Sequence, residues 1–432
     1  MTPTANNFVL CTDIGTSSLK AGIIDISKEC SGGKRLKAFV KIPYTIGSSN
    51  TDCAAGAYEW EAAFYEALKV ISYKNDYIQN IKAICISGNG PTLVCVDKNK
   101  IPIKTLHWFD NVPHIKNVKS FFLPHVVSFK KNNPALFEKT ELFISCHEWL
   151  LQKLGADICT CLPQKLYEPF YYSEEELDTL CLNKKKFPKF VELGSIVGTV
   201  SQAAEKICGL RAGTKLVTGG PDFIMALLGS GVIRAGRACD RAGSSEGINY
   251  CTDTPPNLQA AHFADGSEAQ SKKNIRVLPS AIDGLWNVSV VINESGSLFE
   301  NYIKDNGKQD QSYDQTLQEL LNANNQACTL TEKGEHQFTT EKLPPVLKKI
   351  MQQVVDALAT LESAGYKISE MYVTGGQSKS ALWNKIKSGI TGCKLIVPEI
   401  SDAELTGDAA CAAFALGSYG SIEMALDHFL DT

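Results

Sequence analysis

Phe8-Val9-Leu10-Cys11-Thr12-Asp13-Ile14-Gly15-Thr16-Ser17-Ser18-Leu19-Lys20 is the stretch from which the fold is read. The apolar run Phe8 to Cys11 and the run Leu19 to Ile26 read as two strands. The small polar residues between them predict a hairpin whose tip carries hydroxyls and a glycine. A strand-like segment from Lys37 to Tyr44 follows. Next come apolar residues at helical spacing from Tyr58 to Ile71, and a buried strand from Ile81 to Ser87. Strands alternating with helices predict an α/β fold.

Further along, residues 112 to 189 turn helical and irregular, with one long apolar helix expected over Phe143 to Leu154 and a lysine-rich loop at Lys184 to Lys189. This part reads as an insertion lining a substrate. Strand Lys215 to Thr218 then runs through Gly219-Gly220-Pro221-Asp222 into a helix reaching Leu228. Glycines at 229, 231 and 236 interrupt the chain, so the expected domains are 1–233 and 234–432. The second half reopens with Arg237 to Arg241, the turn Ala242 to Gly247 and a strand from Ile248 to Cys251. A long amphipathic helix is expected over Leu343 to Ala364 and a strand over Ile368 to Thr374. Gly375-Gly376-Gln377-Ser378 then leads into a helix from Lys379 to Ile390. The last helix, near Asp402 to Leu416, is rich in Gly and Ala, as close helix packing requires. Each half opens with a strand-turn-strand carrying a Gly/Ser tip, which predicts two related lobes.

Bulk composition agrees with two domains. The chain has 432 residues, 44% hydrophobic and 21% charged, more than one core usually supports and enough to bury one in each lobe. A formal net charge of −4, with no basic run longer than Lys184 to Lys186, speaks against nucleic acid and against an anionic membrane as partners. Fifteen cysteines lie scattered in apolar segments, as Cys85, Cys95, Cys208 and Cys411 do, where a free thiol acts as a small hydrophobe. Cys159 and Cys161 are too close together for a zinc knuckle. No export signal is read at the N-terminus and no apolar run reaches the roughly 18 residues of a membrane helix. The expected compartment is the cytosol.

Transfer of the terminal phosphoryl group of ATP needs amides and hydroxyls around the phosphates, a divalent cation, and a carboxylate to take the proton of the attacking hydroxyl. Asp13 can hold water-bound Mg²⁺, while Gly15, Thr16 and Ser17 offer donors to phosphate and Lys20 adds a positive charge. An ordinary hairpin using Asp and Gly for turn geometry alone is the competing reading. Asp222 at a strand end before a helix suits a general base, or a plain helix N-cap. Gly243, Ser244 and Ser245 form a second small turn with donors for phosphate. Gly375 and Gly376 allow a nucleotide close to the backbone at a helix N-terminus, or make a simple tight turn. It is the order of these four signals along one chain that favours a kinase.

These residues resemble the FGGY family of carbohydrate kinases, which includes xylulokinase, gluconokinase and glycerol kinase, from Val9 through about Gly420. The resemblance rests on Asp13 to Lys20, Trp108-Phe109-Asp110, Gly219 to Asp222, Leu228 to Gly231, Gly243 to Ser245, and Gly375 to Ser380 followed by Trp383. It implies an actin-like fold of two lobes, each built on a ribonuclease-H-like mixed sheet flanked by helices, the first binding sugar and the second nucleotide. It further implies Asp222 as catalytic base, phosphate turns at Gly15 to Ser17 and Gly243 to Ser245, and Gly376 and Ser380 near the adenosine, with Gln377 between them. ATP and Mg²⁺ are the implied cofactors, a pentulose such as xylulose the implied substrate, and a homodimer the family expectation. Trp108 can stack on a sugar face while Asp110 and Asn89 meet its hydroxyls; a buried structural Trp108 is the alternative. The chain departs from the family in three places. The loop Ser87 to Thr92 lacks the charged or His side chains several members use, Phe223 follows the base where a polar residue is common, and Asn111-Val112 stands where an Arg often follows. A kinase for another polyol or sugar acid, a catalytically silent sugar or nucleotide sensor, and an ATP-driven actin-like filament protein are the rival readings.

Overall fold

A computed structural model describes residues 7–30, 35–44, 54–74, 76–243, 245–254, 275–323, 328–330 and 336–430. The chain divides into two compact units, Met1–Gly229 with Glu404–Thr432, and Ser230–Ala403.

The first unit is built on the opening hairpin. Strand β1 (Phe8–Ile14) is buried at every position and pairs antiparallel with β2 (Ser18–Asp25), which pairs with β3 (Leu36–Pro43). Helix α1 (Ala55–Lys74) follows and brings the fully buried Trp60 into the core. Strand β4 (Ile81–Gly88) returns parallel to β1. Next come β5 (Leu93–Val96), β6 (Pro102–Leu106) and β7 (Leu142–Ser145), which form a small separate sheet. Helix α2 (Cys146–Leu154) leaves directly from β7. The single long helix expected from Phe143 is therefore a strand followed by a helix. Ser145 and Glu148 form a capping box at the junction, so the S-x-x-E spacing, not the apolar run, marks the true helix start.

Strand β8 (Ile196–Thr199) and strand β9 (Lys215–Pro221) complete the main sheet, in the order β8-β9-β4-β1-β2-β3. Strands β9, β4 and β1 run parallel, so the segments following all three emerge at the same sheet end. That end is where open α/β sheets place their ligands. Helix α3 (Asp222–Gly229) starts there without a connecting loop.

The second unit repeats the plan. Strands β10 (Ala238–Ala242) and β11 (Glu246–Thr252) form an antiparallel hairpin, and β12 (Ile275–Pro279) and β13 (Trp286–Ile292) extend it. Helix α4 (Gly296–Asp305) follows. Helix α5 (Pro345–Ser363) buries Leu347, Ile350, Met351, Val354, Ala357 and Leu361, the spacing of one helix face. Strand β14 (Glu370–Thr374), helix α6 (Ala381–Thr391) and strand β15 (Lys394–Ile396) close the unit, with sheet order β12-β13-β11-β10-β14-β15. As in the first unit, the opening strand pairs antiparallel with its hairpin partner and parallel with a later strand. The related halves read from the sequence are thus related in topology.

Helix α7 (Ala403–Ala415) and helix α8 (Ile422–Leu430) end the described chain. The expected boundary gave everything after 233 to a second domain, whereas residues 404–432 pack with the first unit. The glycine in α7 makes this possible. A Cβ on Gly407 would lie 2.5 Å from the carbonyl oxygen of Met225 in α3, so the two helix backbones nearly touch.

Candidate active site

Register fixes the first cluster. Asp13 on β1 stands opposite Lys20 on β2, and the Lys20 ammonium lies 3.2 Å from Asp13 Oδ2 and 3.6 Å from Glu404 Oε2. Asp13 is 2% exposed, and its Oδ1 has no hydrogen-bond partner among the described residues. Burial raises the Asp13 carboxyl to about 7; Lys20 opposes this, while Glu404 and Asp222 push further up.

Asp222 opens α3 at the end of β9, half-buried, and its Oδ1 accepts the backbone N–H of Phe223 at 2.6 Å. That amide belongs to the next residue, whereas a helix N-cap accepts from the second or third amide of its helix. The same carboxylate acts electrostatically on both Asp13 and Cys146, which places all three in one neighbourhood. Asn89 follows β4 and donates its backbone N–H to the Ile14 carbonyl at 2.8 Å. Its side chain is buried with Oδ1 unpartnered among the described residues.

At the hairpin tip, Gly15 accepts the Tyr44 hydroxyl on its carbonyl at 2.5 Å and donates its own N–H to Ser18 O at 3.0 Å. Thr16 and Ser17 project outward, exposed. Trp108 is 46% exposed, which removes the buried structural reading. Its backbone N–H donates to Thr92 Oγ1 at 3.2 Å and its Nε1 reaches Thr16. Asp110 Oδ2 accepts the His107 N–H at 2.8 Å and closes the loop that carries the indole. Asp13, Lys20, Asp222, Asn89, the Gly15–Ser17 tip and Trp108 therefore gather at one end of one sheet.

Sequence reading missed two groups here, Glu404 and Asp408. Asp408 is fully buried and accepts Ser87 Oγ at 3.0 Å and the Cys85 thiol at 3.5 Å. Burial, with Asp13 nearby, pushes its carboxyl well above the usual range. An aspartate inside the Ala-rich helix α7 was the available signal, since charges are almost never fully buried without a role. Gly219 is what lets Asp408 approach. A Cβ there would lie 2.3 Å from Ile86 O and 2.9 Å from Asp408 Oδ1.

The second unit holds the other cluster. Gly243 N donates to Ser245 O at 3.0 Å, and Ser245 is exposed; Ser244 lies outside the described residues. Gly375 adopts φ +88°, and a Cβ on it would sit 2.5 Å from Ala242 O, so only glycine fits between the two strand ends. Gly376 faces open space. The Gln377 side chain is buried and donates to Gly243 O at 3.2 Å. Ser380 Oγ caps α6 by accepting the Trp383 N–H at 3.0 Å.

Among the described residues no group of three or more His, Cys, Asp or Glu side chains is arranged to hold a metal. No described helix is long and apolar enough to cross a membrane.

Residues 346–416 match the model of the C-terminal domain of the FGGY family of carbohydrate kinases. The chain is 23% identical to a xylulose kinase of Staphylococcus epidermidis, covering 98% of this chain and 90% of that protein. It is 22% identical to an autoinducer-2 kinase of Klebsiella pneumoniae, covering 96% and 86%. The solved structure of ligand-bound xylulose kinase from Lactobacillus acidophilus superposes with a TM-score of 0.74 at 16% identity, covering 98% of this chain and 92% of that one. At that identity the likeness concerns the fold, which is the actin-like α/β architecture expected from the sequence.

Proposed function

We propose that this chain is a carbohydrate kinase of the FGGY family, whose C-terminal domain model matches residues 346–416, and that it transfers the terminal phosphoryl group of ATP to a pentulose such as xylulose, with Asp222 as general base. The observation that carries this reading is the company Asp222 keeps. It begins a helix at the sheet end where Asp13, Lys20 and Asn89 converge, and a general base is tuned by the charged groups beside it. The neighbouring xylulose kinase of S. epidermidis supports the choice of sugar.

Asp13 suits Mg²⁺. Its buried, unpartnered Oδ1 is a hard oxygen ligand, and magnesium keeps most of its waters and takes one or two carboxylates together with substrate phosphates. Bound there, the ion would neutralise charge on the phosphates. The chain itself supplies the rest. In the first unit Thr16, Ser17 and Lys20 offer donors suited to phosphate oxygens, and in the second unit the turn at Gly243 and Ser245 offers its own. Gly375, Gly376 and Ser380 receive the adenosine end. Asn89 Oδ1 and Asp110 accept sugar hydroxyls, and the exposed Trp108 indole covers an apolar sugar face. Asp222 withdraws the proton of the attacking hydroxyl as the phosphoryl group arrives.

The test is ADP release by the purified protein with Mg-ATP against pentuloses, hexuloses, polyols and sugar acids. Xylulose-dependent release that falls by about 10²–10⁴-fold in Asp222→Ala is expected. Nucleotide binding without turnover on any sugar would overturn the proposal.

A further inference from the structure

Beneath the Gly243–Ser245 turn lies a chain of buried polar groups, all within the second unit. The Lys387 ammonium on α6, 1% exposed, sits 2.6 Å from Asp240 Oδ2 on β10 and 2.7 Å from Glu246 Oε1 at the start of β11. The second Glu246 oxygen accepts Ser295 Oγ at 2.5 Å. Ser295 Oγ accepts Gln377 Nε2 at 3.1 Å, and the same Nε2 donates to the Gly243 carbonyl. Gly296 N donates to that carbonyl as well, at 3.2 Å. A Cβ on Gly296 would come within 2.3 Å of Gly243 O, so the approach requires glycine. Lys387 and Gly243 are thus joined by consecutive hydrogen bonds through Glu246, Ser295 and Gln377.

We propose that Gln377, Ser295 and Lys387 are positioning residues for the nucleotide phosphates, fixing the Gly243–Ser245 turn from inside the protein without touching the ligand. The inference rests on the reading of that turn as a phosphate site. A glycine-containing turn is conformationally free by itself, and donors stabilise a transferring phosphoryl group only when they are held in place beforehand. The Gly243 carbonyl takes two donors from residues of different elements, Gln377 after β14 and Gly296 opening α4. Those two bonds define where the turn sits. The ionic part keeps this frame rigid: burial and the adjacent Glu246 raise Asp240 to about 8 against the pull of Lys387, so one proton leaves the trio neutral. Gln377 is correspondingly assigned a place inside the frame, distinct from Gly376, which faces open space.

Gln377→Met keeps the side-chain length and removes the donor; Ser295→Ala breaks the same path one bond earlier; Ser295→Thr restores the hydroxyl; Ser245→Ala probes the turn itself. The dissociation constant of MgADP is measured by titration calorimetry for each, with KM for ATP and for the sugar and the melting temperature alongside. MgADP binding about tenfold weaker in Gln377→Met and Ser295→Ala is expected, with Ser295→Thr close to the parent protein. The lost buried hydrogen bonds should lower the melting temperature by a few degrees while sugar KM hardly moves, whereas a merely structural role would weaken sugar and nucleotide binding alike. If Ser245→Ala weakens MgADP binding while Gln377→Met and Ser295→Ala leave it unchanged, the positioning role is overturned. If none of the variants changes it, the turn is not a phosphate site and the underlying reading fails.

Discussion

The indole N–H of Trp108 donates to the hydroxyl oxygen of Thr16 at 3.1 Å, linking the loop after β6 to the tip of the first hairpin. Both side chains are exposed, so the bond adds little to stability and chiefly fixes how the indole stands. Trp108→Phe should change the unfolding free energy by less than about 0.5 kcal/mol. Trp108→Ala should raise the sugar KM by about tenfold through loss of the apolar face. Urea denaturation and steady-state kinetics check the two halves of this expectation.

Gly219→Ala tests the close passage of β9, β4 and α7. The added methyl would meet the Ile86 carbonyl at 2.3 Å, and backbone cannot step aside as a flexible side chain would. A loss of at least about 2 kcal/mol is expected, read as a lower urea midpoint at unchanged slope.

Glu148 gives the fold a pH dependence. It is 3% exposed and its oxygens accept the backbone N–H groups of Cys161 and Ser145, yet burial outweighs these bonds and raises its carboxyl from 4.5 to about 8. A carboxyl raised by folding favours the protonated native state, so its stabilisation is complete below about pH 4.5 and is lost as pH rises to about 8. Glu148→Gln removes that component. Relative to the parent, its unfolding free energy should improve across this window by an amount on the order of a few kcal/mol, measured by denaturation at several pH values.

Lys387→Met would leave Asp240 and Glu246 buried without their cation and should cost about 3–5 kcal/mol. Combining it with Asp240→Leu and Glu246→Gln should recover more than half of that loss, because an apolar replacement no longer strands a charge. Thermal or urea unfolding of the single and triple variants decides it.

The hairpins and parallel strands were legible because each is a short apolar run bounded by small residues. The Asp13–Lys20 pairing follows directly from the length of the first hairpin. What escaped are charges whose partners lie far away in sequence. Asp408 meets Cys85 and Ser87, and Lys387 meets Asp240 and Glu246, and nothing local to any of these positions announces the other. Trp108 was left between two readings because a tryptophan after a strand looks the same whether it faces core or solvent; only exposure separates them. The strand at Leu142–Ser145 was merged into the following helix since periodicity cannot divide so short an apolar run.

The return of residues 404–432 to the first unit also sets an order of events at the ribosome. Synthesis proceeds from the N-terminus and units fold as they emerge, yet Glu404 and Asp408 are made after the whole of the second unit. Until then Lys20 lacks Glu404, the Ser87 hydroxyl lacks the Asp408 carboxylate, and the gap that Gly219 leaves stands open. A nascent chain released early therefore carries both hairpins and Asp222, but an unfinished Asp13 pocket.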